Sequence, residues 1–558
     1  MKKVFLLVVL YICYTGVYAQ KTDVKAVSTI KDLRGVTGMN VGDVIYVKSH
    51  TSPEDGGGGF FKWRNDADLT GTGYFGKDNN GTLIKATANN SGRWVREYNG
   101  QISIAYFGVK NETDLTTAFQ NAIDFAEQNA NDYGTAPTRG RTVFVPSGVW
   151  LVSNIIFKKG VDVIGDSYDA TVLKAIGAEP YLFEMESGPV KISIANFKIL
   201  GDNTSNKGCF HFKAEMGSHT SCGLWNSTFK NIEILGFRGH GVFSEAMPSG
   251  YLGPNQFLVF ENFNVYMSKN APETSSALKM TGQHGQITFL NSGFNGYNDF
   301  DSVSGTNRFH KGSVVEISDT GLTSAVVSFI NATFQESQYG LVFNHAENIT
   351  MDNCWFENLG TSVTVNGTES PCKSINVLNS RFANAAGFGS LSTTNSTNGA
   401  IVHSVSSQVT VANNYVLVSE INDQSKDDFF ILANDTNEGI HAFGNSFADL
   451  SLSKTSGIMQ VLKIQDDGVL NVKYNKMVFV DSSPTIINTI TSSVTTGETI
   501  YIRANGGRVT VNNANNIFLT KRSSLTLKDG EVAGFTKIDA GSEYGIYQLT
   551  SLVKASKR

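Results

Sequence analysis

The sequence predicts an all-β fold in which short strands wind into a solenoid, and three observations lead to that prediction. A phrase made of an apolar strand, an Asn and another apolar residue recurs as FLNSGF, FINATF, MDNCWF and VLNSRF. The composition is rich in Gly (55) and Phe (36) and poor in Pro (10), which suits strands joined by turns. Only one long segment has helical spacing. Strands that recur at irregular intervals indicate stacked coils with loops of varying length between them.

The first 19 residues have the pattern of a secretory signal peptide. Lys2 and Lys3 precede the apolar stretch VFLLVVLYIC, and VYA at positions 17–19 is a suitable cleavage site. That stretch is too short to span a bilayer comfortably, and the residues before Cys13 fit a lipoprotein signal poorly. We therefore expect a secreted or periplasmic protein that has no membrane partner after cleavage.

The net charge of the chain limits which classes of partner it can bind. The chain has 45 Lys and Arg against 50 Asp and Glu, a net charge of −5, which argues against a nucleic-acid partner. An anionic substrate would therefore need a local basic cluster.

The cysteines that follow the signal are Cys209, Cys222, Cys354 and Cys372. Disulfides Cys209–Cys222 and Cys354–Cys372 fit an oxidising compartment, and buried free thiols fit equally well.

Residues 20–100 form a Gly-rich module of strands and turns. It contains EDGGGGFFKWRND from Glu54, DNNGTLIK from Asp78 and GRWVREYNG from Gly92, and AYFGVKNETDLTTAFQNAIDFA and TVFVPSGVWLV follow it. In this order the motifs, which cover about the first third of the chain, resemble the N-terminal portion of pectate-lyase-superfamily proteins, which include secreted polysaccharide lyases and phage tailspikes. The resemblance implies a right-handed parallel β-helix and leaves the reaction open, because one fold hosts many chemistries.

The single helical pattern lies just before the first solenoid strands. Its apolar positions are Leu115, Ala118, Phe119, Ala122, Ile123 and Ala126, and Asp114 is the predicted N-cap. We expect this amphipathic helix to cover the open end of the solenoid, where strand edges would otherwise be unpaired. The predicted organisation is a signal peptide (1–19), an N-terminal β module (20–100), a catalytic β-helix (101–465) and a C-terminal β-rich module (466–558).

One strand per coil can be aligned along the middle of the chain. The candidates are YLFEMES, GCFHFKAE, GVFSEAM, SALKMTG, SVVEISD, YGLVFNH, SVTVNG and AIVHSV. Because side chains alternate between the two faces of a strand, the outward positions form two rows. The first row is Glu184, His211, Phe243, Lys279, Glu316, Val342 and Thr364. The second row is Glu186, Lys213, Glu245, Thr281, Ser318, Asn344 and Asn366.

Two polar insertions add chemistry beside these rows. The loop NGYNDFDSVSGTNRFHKG, at 295–312, and the turn GFRGHGVFSE, at 236–245, hold a concentration of bases, cations and a phenol. Long loops on a rigid scaffold are often functional. The residues they contribute are Tyr297, Asp299, Asp301, Arg308, His310, Lys311, Arg238 and His240.

Such a patch suits β-elimination on a uronic acid. That reaction requires a cation on the carboxylate, a base near C5 and an acid for the oxygen that leaves C4. The predicted catalytic residues are Lys279, His240 and His310 as candidate bases, and Tyr297 as the acid. The predicted substrate-binding residues are Arg238, Arg308, Lys311, His211, Lys213, Glu245 and Glu316. No metal site is predicted, although Asp299 and Asp301 are candidate ligands for Ca²⁺.

The sequence thus predicts a carbon-oxygen lyase that acts on acidic polysaccharide or its oligosaccharides. It cleaves a glycosidic bond, or acts as a dehydratase at the non-reducing end. One alternative is a glycoside hydrolase that uses Glu245 with Glu316, or Glu336 with Glu357, as its two carboxyl groups. A further alternative is a non-catalytic carbohydrate-binding or adhesion protein.

Overall fold

A computed structural model describes most of the chain, which divides into two compact units, Met1–Pro146 and Ser147–Arg558. The predicted signal peptide and Cys222 lie outside the described residues. Those residues are 24–65, 78–88, 92–109, 113–130, 142–185, 191–205, 207–214, 223–247, 254–301, 306–318, 326–368, 370–385, 400–405, 407–417, 429–433, 439–443, 445–447, 458–462, 469–472, 477–481, 485–492, 496–497, 499–505, 507–520, 522–539 and 546–554.

The first unit begins with a five-stranded sheet. In spatial order its strands are Lys25–Val27, Val44–Val47, Gly59–Asn65, Gly92–Glu97 and Leu83–Lys85. The first pair is parallel and the others are antiparallel. A short helix, Ile30–Arg34, starts with a capping box between Thr29 and Asp32. The edge-on pair Trp63 and Trp94 is buried in the core of this module.

The predicted helix is present in the same unit as Thr116–Ala130. It follows the strand Ile102–Ser103 and the 3₁₀ helix Ile104–Phe107, and it precedes the strand Thr142–Val145. Its predicted apolar face is buried, with Ala118 half-buried, and Asp114 accepts a hydrogen bond from the Thr116 backbone N–H at 2.9 Å. That the helix covers the end of the solenoid stays a prediction.

The second unit consists mainly of coils that contribute strands to three parallel sheets. The first sheet contains Asp162–Gly165, His284–Leu290, Val327–Ile330, Glu347–Asp352, Lys373–Leu378, Gln408–Ala412 and Gly439–Phe443. The second contains Gly148–Val152, Thr171–Ala175, Gly293–Asn295, Arg381–Ala385, Tyr415–Leu417 and Ser446–Phe447. The third contains Ile155–Phe157, Tyr181–Met185, Gly208–Lys213, Val242–Glu245, Leu278–Thr281, Thr306–Ser318, Ala400–Val405, Phe429–Ala433, Ile458–Leu462, Met477–Asp481 and Thr499–Asn505.

Longer strands bend and pass from one sheet into the next. Ser193–Leu200, Trp225–Phe237 and Asn255–Met267 join the first sheet to the second, and Thr333–Asn344 and Trp355–Asn366 join the second to the third. Each strand pairs in parallel with the equivalent strand of the next coil. The predicted parallel β-helix is therefore confirmed.

The Asn of the recurrent phrase lies at the corner between the first and second sheets. Asn291, Asn331, Asn353 and Asn379 have φ values of 51°, 53°, 54° and 50°, a left-handed conformation that Asn adopts more readily than most residues. The Asn331 side chain donates a hydrogen bond to Asn291 at 2.6 Å, and Asn353 donates to Asn331 at 3.4 Å. The phrase therefore recurs because each coil needs this corner.

Stacked aromatic rings fill the interior. Phe229, Phe260, Phe289 and Phe329 follow one another in successive coils, with centroids 4.6, 4.6 and 4.9 Å apart. Burial of a Phe side chain stabilises a fold by about 1.5–3 kcal/mol. The inward Phe positions therefore hold successive coils in register.

The cysteines in this interior do not pair. Cys209, Cys354 and Cys372 are buried free thiols, and the Cys354 and Cys372 sulfurs contact backbone carbonyls instead. The disulfide alternative Cys354–Cys372 is therefore wrong. Burial raises the pKa of the Cys354 thiol to about 12, so this thiol stays protonated and unreactive.

Beyond residue 466 the parallel ladder of the third sheet continues through Met477–Asp481 to Thr499–Asn505 and then turns antiparallel with Val532–Asp539 and Ile546–Val553. The other strands of this region are Val469–Val472, Thr485–Ile487, Thr489–Ser492, Val509–Asn512, Ile517–Phe518 and Ser524–Leu527. Buried residues from Ile487 to Tyr547 form a separate core cluster. Across the described residues, no helix is long and apolar enough to cross a membrane.

Candidate active site

The outward rows predicted from alternation are present on the third sheet. Backbone pairing places the first row in register from coil to coil as Glu184, His211, Phe243, Lys279 and Glu316. In the second row, Lys213 lies opposite Glu245, which lies opposite Thr281. Because neighbouring strands are ~4.8 Å apart, side chains on adjacent coils are in direct reach of one another.

One histidine on this face has a carboxylate beside each of its ring nitrogens, and these three residues form its densest cluster of ionisable side chains. The Nδ1 atom of His211 lies 3.6 Å from Glu184 Oε1, and its Nε2 atom lies 3.1 Å from Glu245 Oε2. The His211 side chain is only 12% exposed, whereas Glu184 and Glu245 are 33% and 40% exposed. We call these three residues the Glu–His–Glu cluster. The imidazole is hydrogen-bonded to Glu245 and lies at ion-pair distance from Glu184, which also accepts a hydrogen bond from the Asn154 side-chain amide. Both carboxylates remain partly open to solvent.

Aromatic rings cover both faces of this imidazole. The Tyr181 ring stacks on His211 at 4.5 Å, and the Phe243 ring stacks on it at 5.2 Å with an interplanar angle of 6°. Burial, followed by the charges of Glu245 and Glu184, raises the pKa of the Tyr181 phenol to about 12. Tyr181 is therefore a neutral hydrogen-bond donor at ordinary pH.

Lys279 and His240 lie beside the cluster. The Lys279 ammonium pairs with Glu316 at 3.3 Å, and each side chain is 25% exposed. The Ser276 backbone N–H donates a hydrogen bond to His240 Nδ1 at 3.1 Å, so the neutral ring carries its proton on Nε2. Burial, together with the Lys279 charge, lowers the pKa of His240 to about 4. His240 is therefore suited to donate a hydrogen bond through Nε2, and its basic lone pair is already in use.

His310 and Tyr297 belong to a hairpin formed by Asn298–Asp301 and the first part of Thr306–Ser318. His310 is fully buried, and its Nε2 atom lies 2.8 Å from the Ser275 carbonyl oxygen. Burial lowers its pKa. The Tyr297 ring meets it edge-on at 5.7 Å. This inward position does not suit the predicted catalytic role, because a base needs access to the sugar.

The remaining predicted cations have other partners. Arg238 donates to the Asn270 and Thr204 carbonyl oxygens at 2.9 and 2.5 Å, and Lys311 forms an exposed ion pair with Glu273 at 3.6 Å. The side chains of Arg308, Asp299 and Asp301 lie outside the described residues. Within the described part of the chain, no group of three or more His, Cys, Asp or Glu residues could hold a metal ion.

The carboxylate pairs predicted for a hydrolase are less favourable than the Glu–His–Glu cluster. Glu245 and Glu316 are two coils and two residues apart, which separates their backbones by roughly 12 Å, and Glu316 turns to Lys279. Glu336 lies at a corner with a φ of 61° and accepts from Asn358 at 2.8 Å. Glu357 accepts from Gln335 at 2.6 Å.

The sequence pattern places Glu184 in the first row but does not reveal its link to Glu245. Their backbones are also two coils and two residues apart, yet both side chains converge on His211, which lies on the coil between them. The available signal was a His flanked on adjacent coils by outward Glu residues on both sides.

Comparisons with known proteins support the fold. Residues 101–257 match the model described as rhamnogalacturonase A/epimerase, pectate lyase-like. Residues 26–99 match the phage tail protein small four-stranded beta-sheet domain, although here that module has five strands. No curated protein matches the chain.

Three solved structures of low sequence identity are similar to the chain, and the first of them supports the fold. The gp42 tailspike of Acinetobacter phage vb_AbaP_AS12 is 13% identical, with 96% of this chain and 94% of that chain covered and a TM-score of 0.50. The tailspike gp49 of Acinetobacter baumannii bacteriophage Fri1, a capsular polysaccharide depolymerase, is 16% identical, with 76% and 75% covered and a TM-score of 0.48. The mannuronan C-5 epimerase AlgE4 A-module of Azotobacter vinelandii is 14% identical, with 62% and 96% covered and a TM-score of 0.43. Residues 101–257 thus resemble the pectate-lyase-like proteins, as the sequence predicts, within a chain of tailspike-like fold.

Proposed function

We propose that this chain is a polysaccharide-cleaving enzyme in which Glu184 and Glu245 hydrolyse a glycosidic bond. The observation that carries the proposal is the Glu–His–Glu cluster, in which one largely buried imidazole lies between two partly exposed carboxylates on the outward face of the third sheet. Two carboxyl groups are the catalytic equipment of most glycoside hydrolases.

The placement of the two carboxylates is compatible with inversion of the anomeric centre. Their oxygens lie 3.6 and 3.1 Å from opposite ring nitrogens, so one imidazole lies between them, and inverting enzymes leave roughly 6.5–9.5 Å between their two carboxyl groups. One protonated carboxyl group delivers a proton to the leaving oxygen. The other carboxylate takes a proton from the attacking water, which bonds to the anomeric carbon as the glycosidic bond breaks.

The surroundings of the cluster suit a sugar chain. Tyr181 supplies a neutral phenolic donor, and the Phe243 ring is partly exposed beside it. Outward residues continue in register over further coils, through Val342 and Thr364, so the face is long enough for a polymer. The family description of residues 101–257 and the depolymerase among the similar structures are consistent with a polysaccharide substrate.

β-Elimination on an acidic polysaccharide is the second candidate. Lys279 could face a uronate carboxylate from the first row, and His240, in the turn before the strand Val242–Glu245, could donate from Nε2. Against it, the carboxylates of Glu184, Glu245 and Glu316 repel an anionic ring, Lys279 is paired with Glu316, and neither candidate base is poised to accept the C5 proton. We therefore rank elimination below hydrolysis.

We also propose that the protein acts outside the cytoplasm. The basis is the signal-like pattern of residues 1–19, with Lys2 and Lys3 before an apolar stretch. N-terminal sequencing of protein recovered from the medium or periplasm tests this, and a mature chain that still begins at Met1 contradicts it.

A substrate panel tests the reaction. Purified protein is incubated with neutral capsular polysaccharides, pectin, alginate, ulvan and glycosaminoglycans, with and without a chelator, and two products are measured in each sample. We expect new reducing ends without the ultraviolet absorbance of unsaturated uronates. Reducing ends that appear together with that absorbance would establish elimination instead. Binding without either product would support an adhesion protein.

A further inference from the structure

A second concentration of exposed side chains lies on the second sheet, away from the Glu–His–Glu cluster. Backbone pairing places Trp355 opposite Arg381 and Arg381 opposite Tyr415 on three successive coils. The Arg381 guanidinium carbon lies 4.6 Å from the centre of the Trp355 ring and 5.5 Å from that of the Tyr415 ring. We call these residues the Trp–Arg–Tyr stack. A cation is thus held between two aromatic rings at the surface.

The guanidinium keeps its hydrogen-bonding capacity. Arg381 is exposed and Tyr415 is 40% exposed. Among the described residues, the Arg381 side chain has no ion pair and no hydrogen bond; its contacts are the two rings. A stacked guanidinium holds its N–H bonds in its own plane, so stacking orients these donors without consuming them. Five aligned donors and a full positive charge are the complement of a carboxylate or a sulfate.

Neighbouring contacts hold the stack rigid. The Trp355 indole N–H donates to Glu357 at 3.1 Å, and Glu357 also accepts from Gln335 at 2.6 Å. On the inner side, Phe356 and Phe382 follow Trp355 and Arg381 on their strands, and they stack with each other at 4.5 Å and with Phe334 of the preceding coil at 5.1 Å. Because the rings and the cation are oriented before any ligand arrives, binding costs little side-chain entropy.

We propose that the Trp–Arg–Tyr stack is a binding subsite for the acidic group of a polysaccharide, a carboxylate or a sulfate ester. Arg381 pairs with the anion, and the Trp355 and Tyr415 rings flank it with apolar surface for the carbon faces of the sugars. The coil spacing of ~4.8 Å is comparable to the length of one sugar residue, so the three coils can contact successive sugars.

This subsite goes beyond the proposed hydrolysis, because it requires no cleavage. It assigns the acidic groups of the polymer to a basic site on the second sheet. The sugar that is cleaved at the acidic cluster on the third sheet is then uncharged. A polymer that alternates acidic and neutral sugars fits both sites.

Affinity electrophoresis tests the subsite directly. The protein is run through native gels that contain polygalacturonate, which carries carboxylates, heparin, which also carries sulfates, or neutral dextran. We expect retardation in at least one acidic gel and none in dextran. Arg381→Ala should weaken binding about tenfold or more, as expected for loss of a charge-assisted contact. Arg381→Lys keeps the charge but loses the planar guanidinium, so its affinity should lie between those of the parent protein and Arg381→Ala.

The control is Lys230→Ala, which removes an exposed cation that is paired with Glu261 on another sheet. Lys230→Ala should migrate like the parent protein. The melting temperature should be unchanged in Arg381→Ala, Arg381→Lys and Lys230→Ala. No retardation of the parent in either acidic gel, or equal loss in Arg381→Ala and Lys230→Ala, would overturn the subsite. Glu184→Gln tests the other site separately, because it should lose cleavage and keep its retardation.

Discussion

Two histidines on strands of the same sheet have opposite surroundings. His211 points out of the coil, where carboxylates lie at both of its ring nitrogens and aromatic rings cover both of its faces. His310 points into the coil, is fully buried and contacts the Ser275 carbonyl oxygen through Nε2. The difference teaches that, in a solenoid, an outward-facing polar side chain is available for catalysis, whereas an inward-facing one contributes to stability.

His284 extends the comparison to a second inward histidine. Its Nε2 atom lies 2.8 Å from Ser244 Oγ and its Nδ1 atom 3.0 Å from the Gly282 carbonyl oxygen, while Asn255 also donates to Ser244 at 2.9 Å. These buried polar groups satisfy one another inside the coil, as buried polar groups generally do. Inward histidines should therefore change stability when they are replaced, and outward ones should change activity.

The largest expected effect is a loss of turnover when an outward-facing carboxylate of the Glu–His–Glu cluster is replaced. Glu184→Gln and Glu245→Gln should each lower the turnover of a cleaved polysaccharide by about 10²–10⁴-fold, the usual contribution of a general acid or base. The measurement is the rate of reducing-end formation. Glu261→Gln is the matched control, because Glu261 is an exposed carboxylate paired with Lys230, and its rate should stay at the parental value. Parental rates in both cluster variants would remove the cluster from catalysis.

The two contrasted histidines should separate stability from activity. His310→Ala removes a buried ring and its hydrogen bond, and should lower the free energy of unfolding by about 2–4 kcal/mol. His211→Ala should cost about 1 kcal/mol or less but should lower turnover, because its carboxylates lose their fixed positions. Chemical denaturation and initial rates on both variants check this. The reverse pattern would contradict the division between inward and outward sides.

The pH dependence of stability should report the buried His284. Burial lowers its pKa from 6.5 to about 4, so the unfolded chain binds a proton more readily than the folded one in that range. Its contribution is complete above pH 6.5 and is lost as the pH falls toward 4, by about 3 kcal/mol in all. His284→Gln should flatten this decline in urea titrations. The other histidines whose pKa values burial lowers keep the remaining slope; they are His240, His310, His50 and His403. An unchanged pH profile in His284→Gln would show that His284 is not buried as a neutral ring.

The smallest expected effect is the contribution of the Lys279–Glu316 ion pair to the free energy of unfolding. Each side chain is 25% exposed, and such pairs contribute about 0–1 kcal/mol. A double-mutant cycle of Lys279→Met and Glu316→Gln measures this coupling in the free energy of unfolding. Lys279→Met should leave hydrolysis within a few fold of the parent. Complete loss of cleavage in Lys279→Met would instead favour the elimination mechanism that the sequence predicts.

The regular parts of the solenoid could be predicted from sequence because strand periodicity is local. Alternation along the strands at Glu184, His211 and Lys279 gave the outward rows in the register that the backbone pairs adopt. The Asn phrase marked a corner because few residues adopt positive φ without strain.

Other features depend on irregular geometry that a sequence does not display. The register shifts between His310 and Ser313, which turns His310 inward although its loop is polar. The Trp355, Arg381 and Tyr415 side chains align only because loops of unequal length return the chain to the same sheet. Convergence of Glu184 and Glu245 on His211 likewise requires side-chain directions that periodicity does not supply.

Digestion in heavy-oxygen water tests the central claim most directly. A polysaccharide that the enzyme cleaves is digested briefly, and the products are weighed by mass spectrometry against a control for exchange at the reducing end. We predict that each cleavage adds one heavy oxygen from water to the new reducing end, and that Glu184→Gln and Glu245→Gln lose this product. Products that lack one water and carry no heavy oxygen would contradict hydrolysis at the Glu–His–Glu cluster.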